Sequence, residues 1–307
     1  MVSIITRAQQ LIAPFNNSEY FIIPNAESLK NKIELFRAAG IDNFQIVSDF
    51  DFTMTRSLVN GFQGKTSVTI AQNTSSSLER QQVISDLINY YTPIEINHQI
   101  NEGVKAQYMK EWWAKSSAII IQDKYDQKEL EKVVDDSNVY LRYGIDNVMK
   151  ICEDFNVPIY FVSAGLGNVI DYFFRSLGFR LNLKIFANYL DLDDEGKLTK
   201  LSEPAIVSVE KSKVLQGMKL KSHILLMGDM ISDCTIVQEG NYEEIIRIGF
   251  VNNPDTANLN RYQENFDFLI LNDGNMVAVE KILKLILSNH QETDEAKNLL
   301  LHELNLN

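Results

Sequence analysis

The sequence predicts an α/β fold: a parallel sheet with helices packed on it, interrupted by an inserted, mainly helical block. Three observations predict it. Short apolar runs such as Ile159-Tyr160-Phe161-Val162 and His223-Ile224-Leu225-Leu226-Met227 alternate with stretches of helical periodicity. Wholly apolar strands that alternate with helices belong to parallel sheets covered on both faces. Several runs also end at once in a polar or acidic residue, as strands do where their carboxyl ends meet a ligand site. Third, the long stretch between the first two runs carries no strong strand signal and reads as helix.

Taken in order, residues 1–43 read as two helical segments. The second enters through Pro24-Asn25-Ala26-Glu27-Ser28, continues with Leu29, Ile33, Leu35 and Phe36, and ends at Gly40 as at a helix C-cap. A strand follows at about 44–48. Residues 57–66 hold Asn60-Gly61 and Gly64-Lys65 and read as loop. From 75 to about 138, Leu78, Val83, Leu87 and Ile88, then Val104, Tyr108 and Trp112, then Leu130, Val133 and Val134 recur near helical spacing. Residues 118–121 form a short β-like run that a helix can also hold. A helix at about 145–155 leads into the strand 159–162, which Ser163-Ala164-Gly165 closes as the next helix begins. Further strands are expected at 184–190, 223–227, 247–251 and 266–271, with a turn at 193–197 and a helical tail over 277–305. The expected division is a core of residues 1–56 and 139–307 and an inserted domain of residues 57–138.

Composition narrows the function. Of 307 residues, 45% are hydrophobic and 23% charged, the profile of an ordinary globular chain. Acids outnumber bases 41 to 29, a net charge of −12. That excess argues against nucleic-acid or anionic-membrane partners, which select a basic footprint. It leaves room for a small phosphate bound through a local cation. Cys152 and Cys234 have no metal-ligand spacing and read as free thiols of a reducing compartment. Arg7 interrupts the apolar N-terminal stretch, unlike a signal peptide, and no apolar run approaches the ~20 residues that span a bilayer. The expectation is a cytoplasmic protein, monomeric or weakly homo-oligomeric, acting on a small molecule.

The strand ends carry the chemistry. Asp49 and Asp51 follow the apolar Ile46-Val47. Two carboxylates two residues apart on a strand point the same way. Such a pair persists when a cation lies between its members or when one is protonated. Ser163, Ala164, Asp229 and Asp233 follow other strands and converge on the same side of a parallel sheet. Asp49, Asp51, Asp229 and Asp233 offer hard oxygen ligands suited to Mg²⁺. Ser163 and Ala164 offer a hydroxyl and a backbone N–H at an expected helix start. Lys211 or Lys213 can neutralise phosphate charge. One aspartate can serve as nucleophile, and a second, protonated, as acid toward the leaving oxygen.

These motifs, in this order, resemble those of the haloacid dehalogenase superfamily. Asp49-Phe50-Asp51-Phe52-Thr53, Phe161-Val162-Ser163, a lysine matched by Lys211, and Gly228-Asp229-Met230-Ile231-Ser232-Asp233 meet its four motifs. Within it the chain resembles the cytosolic pyrimidine 5′-nucleotidase (cytosolic 5′-nucleotidase III) family. Tyr90-Tyr91-Thr92-Pro93-Ile94-Glu95, the stretch from Tyr108 through Trp112-Trp113 to Ser116, and Asn188-Tyr189-Leu190-Asp191-Leu192-Asp193 carry that likeness, which runs from about residue 26 to the end. The resemblance implies a Rossmann-like parallel core with a helical cap. It implies Mg²⁺-dependent hydrolysis of UMP or CMP through an aspartyl-phosphate. Glu95 would contact the nucleobase, Ser116 would line the pocket, and Asp51 would touch the metal through its backbone carbonyl. The alternative is a phosphatase for another small ester such as 7-methylguanosine monophosphate, or a non-catalytic protein of the same fold. Residues 66–72 depart from the family, lacking the histidine-bearing stretch expected near the base, and Ser232 stands where glycine is frequent.

Other residues read as structural. Adjacent Trp112 and Trp113 face different ways on a helix, so at most one can stack on a base. The histidines, His98, His223, His290 and His302, fall outside the motifs, and His223 is expected to be structural.

Overall fold

The structure, a computed structural model, describes residues 20–72, 77–97, 99–137, 139–179, 183–287, 298, 301–304 and 306. The first helical segment expected within 1–43 lies outside the described residues. Strand β1 (Phe21–Ile22) and helix α1 (Ala26–Ala39) lead to β2 (Phe44–Ser48). Helix α1 starts where the Asn25 side chain accepts the Ser28 N–H and stops at Gly40, whose φ of 78° suits glycine. It buries Leu29, Ile33 and Phe36. Every residue of β2 is buried, as expected of a central parallel strand.

The chain then leaves the sheet. A hairpin of β3 (Leu58–Val59) and β4 (Phe62–Gln63) precedes α2 (Ser67–Gln72), α3 (Leu78–Ile96), α4 (Glu102–Ile121) and α5 (Gln127–Asp136). The hairpin occupies part of the expected loop, turning at Asn60 and Gly61 with φ of 53° and 81°. The β-like run at 118–121 is the last turn of α4, with Ile120 buried. The chain returns beside its point of departure. Thr55 and Leu141 pair as an antiparallel bridge, and the Arg56 N–H donates to the Tyr140 carbonyl at 2.8 Å.

The rest comprises α6 (Ile145–Asp154), β5 (Ile159–Leu166), α7 (Gly167–Ser176), β6 (Leu183–Asn188), a hairpin of β7 (Leu190–Leu192) and β8 (Leu198–Leu201), β9 (His223–Gly228), β10 (Glu244–Val251), α8 (Leu259–Asn265), β11 (Phe268–Leu271) and α9 (Val277–Leu287). The seven-stranded sheet runs β1-β11-β10-β9-β2-β5-β6. All neighbours are parallel except β1, which is antiparallel to β11. The chain therefore winds outward from β2 in both directions. The carboxyl ends of β9, β2 and β5 lie side by side at the reversal, where parallel sheets place their ligands.

Several expected boundaries moved: β10 begins at Glu244 rather than 247 and β11 at Phe268 rather than 266. Strand β5 continues to Leu166, with a register shift against β6 between Val162 and Leu166. Ser163 and Ala164 therefore sit on an irregular strand end rather than at a helix start. Side chains draw the amides away from the ladder there: the Gly165 N–H donates to Ser163 Oγ and the Leu166 N–H to Ser67 Oγ, each at 3.0 Å. The run 184–190 divides at Tyr189 into β6 and β7. The 193–197 stretch is the β7–β8 turn, held by Asp193 accepting the Glu195 and Lys197 N–H groups. His223 is structural, edge-on to Phe36 at 5.1 Å and hydrogen-bonded to Ser222. Of the expected helical tail, 277–287 is α9, and residues 288–297 lie outside the described residues. Among the described residues, no helix is long and apolar enough to cross a membrane.

Candidate active site

Asp49 and Asp51 lie just past β2, which ends at Ser48. The Thr53 and Met54 N–H groups fold back onto the Phe50 carbonyl at 3.2 and 2.8 Å, and Phe52 takes a φ of 62°. Strand alternation therefore does not govern the pair. Phe50 between them enters the core, its ring 5.8 Å from Phe173 and 5.6 Å from Phe174. That anchor turns the flanking acids toward the site, and they part there. Asp49 Oδ1 accepts from Lys211 Nζ at 2.6 Å. Asp51 accepts from Ser67, the N–H at 2.7 Å and Oγ at 2.6 Å.

Lys211 also donates to Asp233 Oδ1 at 2.8 Å, and it is only 4% exposed. Lys213 is exposed and pairs with Glu210 instead. Of the two lysines, Lys211 reaches the aspartates and Lys213 does not. The second oxygen of Asp233 accepts the Met230 N–H at 3.0 Å. Gly228 has to be glycine here, because a Cβ would stand 2.4 Å from that of Asp233. Thr53 Oγ1 lies 3.5 Å from both Asp49 Oδ2 and Asp229 Oδ1.

Carboxylate oxygens of Asp49, Asp229 and Asp233 lie within 4.8 Å of one another. Lys211 contacts Asp49 and Asp233 but not Asp229, so the acids outnumber the cation touching them, and this hard-oxygen donor set fits a divalent cation such as Mg²⁺. The protonation behaviour agrees. Burial, opposed by Lys211, pushes Asp49 up to about 7. Burial, reinforced by Asp49, raises Asp229 well above the usual carboxylate range. Burial depresses Lys211, but Asp233 and Asp49 outweigh it and the net shift is upward. The Asp51 carboxylate is turned to Ser67, outside this cluster.

These shifts fix the sign of a pH effect. A carboxyl whose folded pKa is raised favours the fold in its protonated form, so its contribution is present at low pH and lost as pH rises through the folded value. In chelator, the melting temperature is expected to fall between about pH 5 and pH 8 by more for the wild type than for Asp49→Asn. Saturating Mg²⁺ should remove that difference, because the ion competes with the proton. Thermal melts across this range check it, and a pH-independent difference would contradict it.

Ser163, 1% exposed, accepts the Gly165 N–H through a lone pair, which leaves its own proton to donate. Asn188 Nδ2 holds the Ala164 carbonyl at 2.9 Å. Above the carboxylates a pocket opens between the sheet end and the helices of the insert. Glu95, Ser116, Trp112 and Trp113 line it together with Ile84, Leu87 and Met109. Burial raises the Glu95 pKa against the opposing hydrogen bond from Ser208 Oγ, which lies at 2.5 Å. Trp113 is buried in the core, whereas Trp112 stacks on Tyr91 at 5.6 Å with 9° between rings. The predicted residues from Asp49 to Asp229 all line this pocket, and Asp233 lies behind Lys211.

Four residues at the site escaped the sequence reading. Asn252, whose Nδ2 lies 3.4 Å from Asp229 Oδ2, follows β10 and so had the strand-end signal. Ser67 and Ser208 had none. Arg142 is fully buried and donates to the Phe52 carbonyl at 2.6 Å and the Thr53 carbonyl at 2.8 Å, tying down the loop after Asp51. Nothing local marks it, because its partners come from three distant segments.

Known proteins resemble this chain in sequence and in fold. The family model described as pyrimidine 5′-nucleotidase (UMPH-1) matches residues 52–287. The chain is 30% identical over 275 residues to the 7-methylguanosine phosphate-specific 5′-nucleotidase of Gallus gallus, covering 86% of this chain and 95% of that one. The Homo sapiens protein of the same name is 30% identical over 261 residues, covering 82% and 87%. The solved structure of cytosolic 5′-nucleotidase IIIB bound to cytidine superposes with a TM-score of 0.79 at 27% identity, covering 92% of this chain and 96% of that one. A substrate-bound phosphoserine phosphatase, at 17% identity and a TM-score of 0.50 with 78% and 97% covered, shares the fold. Strand-end aspartates, buried lysine and sheet order thus coincide with a match over most of the chain: it belongs to the pyrimidine 5′-nucleotidase (UMPH-1) family, as a phosphate-monoester hydrolase of the haloacid dehalogenase type.

Proposed function

We propose that the protein is a Mg²⁺-dependent 5′-nucleotidase that hydrolyses the pyrimidine nucleoside monophosphates UMP and CMP through an aspartyl-phosphate. The observation that carries the reading is Asp49 held by Lys211 at 2.6 Å in a pocket that Glu95 also lines. Asp49 is the nucleophile: its carboxylate forms a bond to phosphorus as the bond to the 5′-oxygen breaks. Asp51 gives its proton to that oxygen, then takes one from the water that opens the aspartyl-phosphate. Lys211, Ser163 and the Ala164 backbone hold the phosphoryl oxygens and offset their charge. Asp49, Asp229 and the Asp51 carbonyl, with Asp233 alongside, would hold Mg²⁺, which when bound offsets phosphoryl charge. Residues 57–138 act as a cap that excludes water and reads the base. Glu95 accepts from an exocyclic amine, as a carboxylate does from cytosine, and Ser116 lines the same pocket.

A second reading, 7-methylguanosine monophosphate as substrate, is favoured by the names of the curated relatives. The Trp112 ring, backed by Tyr91, offers a flat surface suited to a cationic base. Steady-state rates on CMP, UMP, 7-methylguanosine monophosphate and phosphoserine, with Mg²⁺ and with chelator, test both. The expected result is turnover of CMP and UMP with Mg²⁺ and loss of at least about 10³-fold in chelator. Selective turnover of 7-methylguanosine monophosphate would establish the second reading, and metal-independent turnover would overturn both.

A further inference from the structure

Ser67 stands at the meeting point of three parts of the site. Its N–H and its hydroxyl both donate to Asp51, at 2.7 and 2.6 Å, so the two carboxylate oxygens are gripped by one residue. The same hydroxyl accepts the Leu166 N–H at 3.0 Å, from the end of the strand that carries Ser163. Ser67 itself is fully buried and belongs to the insert, at the first residue of α2. Its contacts demand close approach. A Cβ at Gly165 would stand 2.1 Å from Ser67 Oγ and 2.4 Å from Asp51 Oδ2. Glycine at 165 is what lets the insert reach the acid.

We infer that Ser67 is a positioning residue for Asp51, fixing the carboxyl group's plane and tying its placement to the seating of the insert on the sheet. The inference rests on the reading of Asp51 as the acid toward the leaving oxygen. Asp51 lies in the turn after β2, and no residue of that turn holds its carboxylate among the described contacts. Without the Ser67 hydroxyl, one of the two anchors on the Asp51 carboxylate is lost, and the remaining N–H contact restrains χ2 less tightly. Proton donation depends on sub-ångström placement. Its loss falls on substrates whose leaving oxygen needs a proton and spares those that depart as stable anions. Nitrophenolate is such an anion, whereas a nucleoside alkoxide is not.

Ser67→Ala keeps the backbone N–H and removes the hydroxyl alone. The test is kcat/KM with Mg²⁺ for wild type and variant across CMP, phenyl phosphate and p-nitrophenyl phosphate, with melting temperatures alongside. The expected result is a loss of roughly 10- to 100-fold on CMP and phenyl phosphate and less than about threefold on p-nitrophenyl phosphate. Ser67→Thr, which returns the hydroxyl, should recover the poor leaving groups. An equal loss on every substrate, or none on any, overturns the proposal. Should Ser67→Ala fail to fold, Ser67→Cys, a weak donor of similar size, is read the same way. The nucleotide reading fails separately, if the wild type turns over the aryl phosphates and no nucleotide. The comparison of phenyl with p-nitrophenyl phosphate still decides the role of Ser67 in that case.

Discussion

Asp49→Asn is expected to abolish turnover and at the same time stabilise the metal-free fold. The amide has nearly the shape of the carboxylate but cannot form the aspartyl-phosphate, so the loss should reach roughly 10⁴-fold or more. Stability moves the other way. Asp49 is buried, and burial with the nearby Asp233 holds its pKa at about 7 despite Lys211. At pH 8 in chelator, the wild type keeps a buried charge beside two other acids, whereas the variant keeps one charge fewer. Lys211 retains Asp233 at 2.8 Å, so the substitution does not orphan the cation. The expected gain is about 1–3 kcal/mol, less than the whole pKa shift would give because the contact to Lys211 weakens. Nucleotide assays and denaturant unfolding on the same preparation check both halves. Turnover within a hundredfold of wild type would exclude Asp49 as nucleophile.

Much of the fold and site was legible in the sequence, for a physical reason. A parallel sheet forces apolar strands and places its chemistry at their carboxyl ends, so the run from His223 to Met227 announces a strand and Gly228-Asp229 announces an acid at its tip. Contacts carried by a residue's sequence neighbours are visible in this way. Those made by distant segments are not. Nothing in the sequence around Arg142 marks it. Folding buries it completely and points it at Phe52, Thr53, Gly274 and Asn252. Ser67 lies in a stretch marked chiefly by its lack of a histidine, and its role depends on the insert folding back to reach Asp51. The parting of Asp49 from Asp51 was also hidden, since strand alternation holds only while the strand lasts and β2 ends at Ser48.

Lys211→Met should shift stability in the direction opposite to Asp49→Asn, and that opposition tests the geometry more sharply than activity does. Lys211 is the sole cation in contact with Asp49 and Asp233 among the described residues. Its removal leaves buried carboxylates uncompensated, a change that typically costs about 3–5 kcal/mol. Methionine fills much of the same volume, so the loss is electrostatic rather than a cavity effect. Mg²⁺ should restore part of it, because a divalent ion supplies the missing charge to the same oxygens. Catalysis is expected to fall about 10²–10⁴-fold even with Mg²⁺ saturating, since the phosphoryl group loses a preorganised positive partner. Lys213→Met is the control: that side chain is 65% exposed and pairs at the surface with Glu210, where such pairs contribute at most about 1 kcal/mol. The double variant Asp49→Asn/Lys211→Met should be more stable than the two single changes added together, because neutralising Asp49 relieves part of what the lysine had compensated. Urea unfolding of the wild type and these variants in chelator settles the matter. If Lys213→Met is as damaging as Lys211→Met, or if the double variant is simply additive, then Asp49 and Lys211 do not form the coupled pair that their 2.6 Å contact implies.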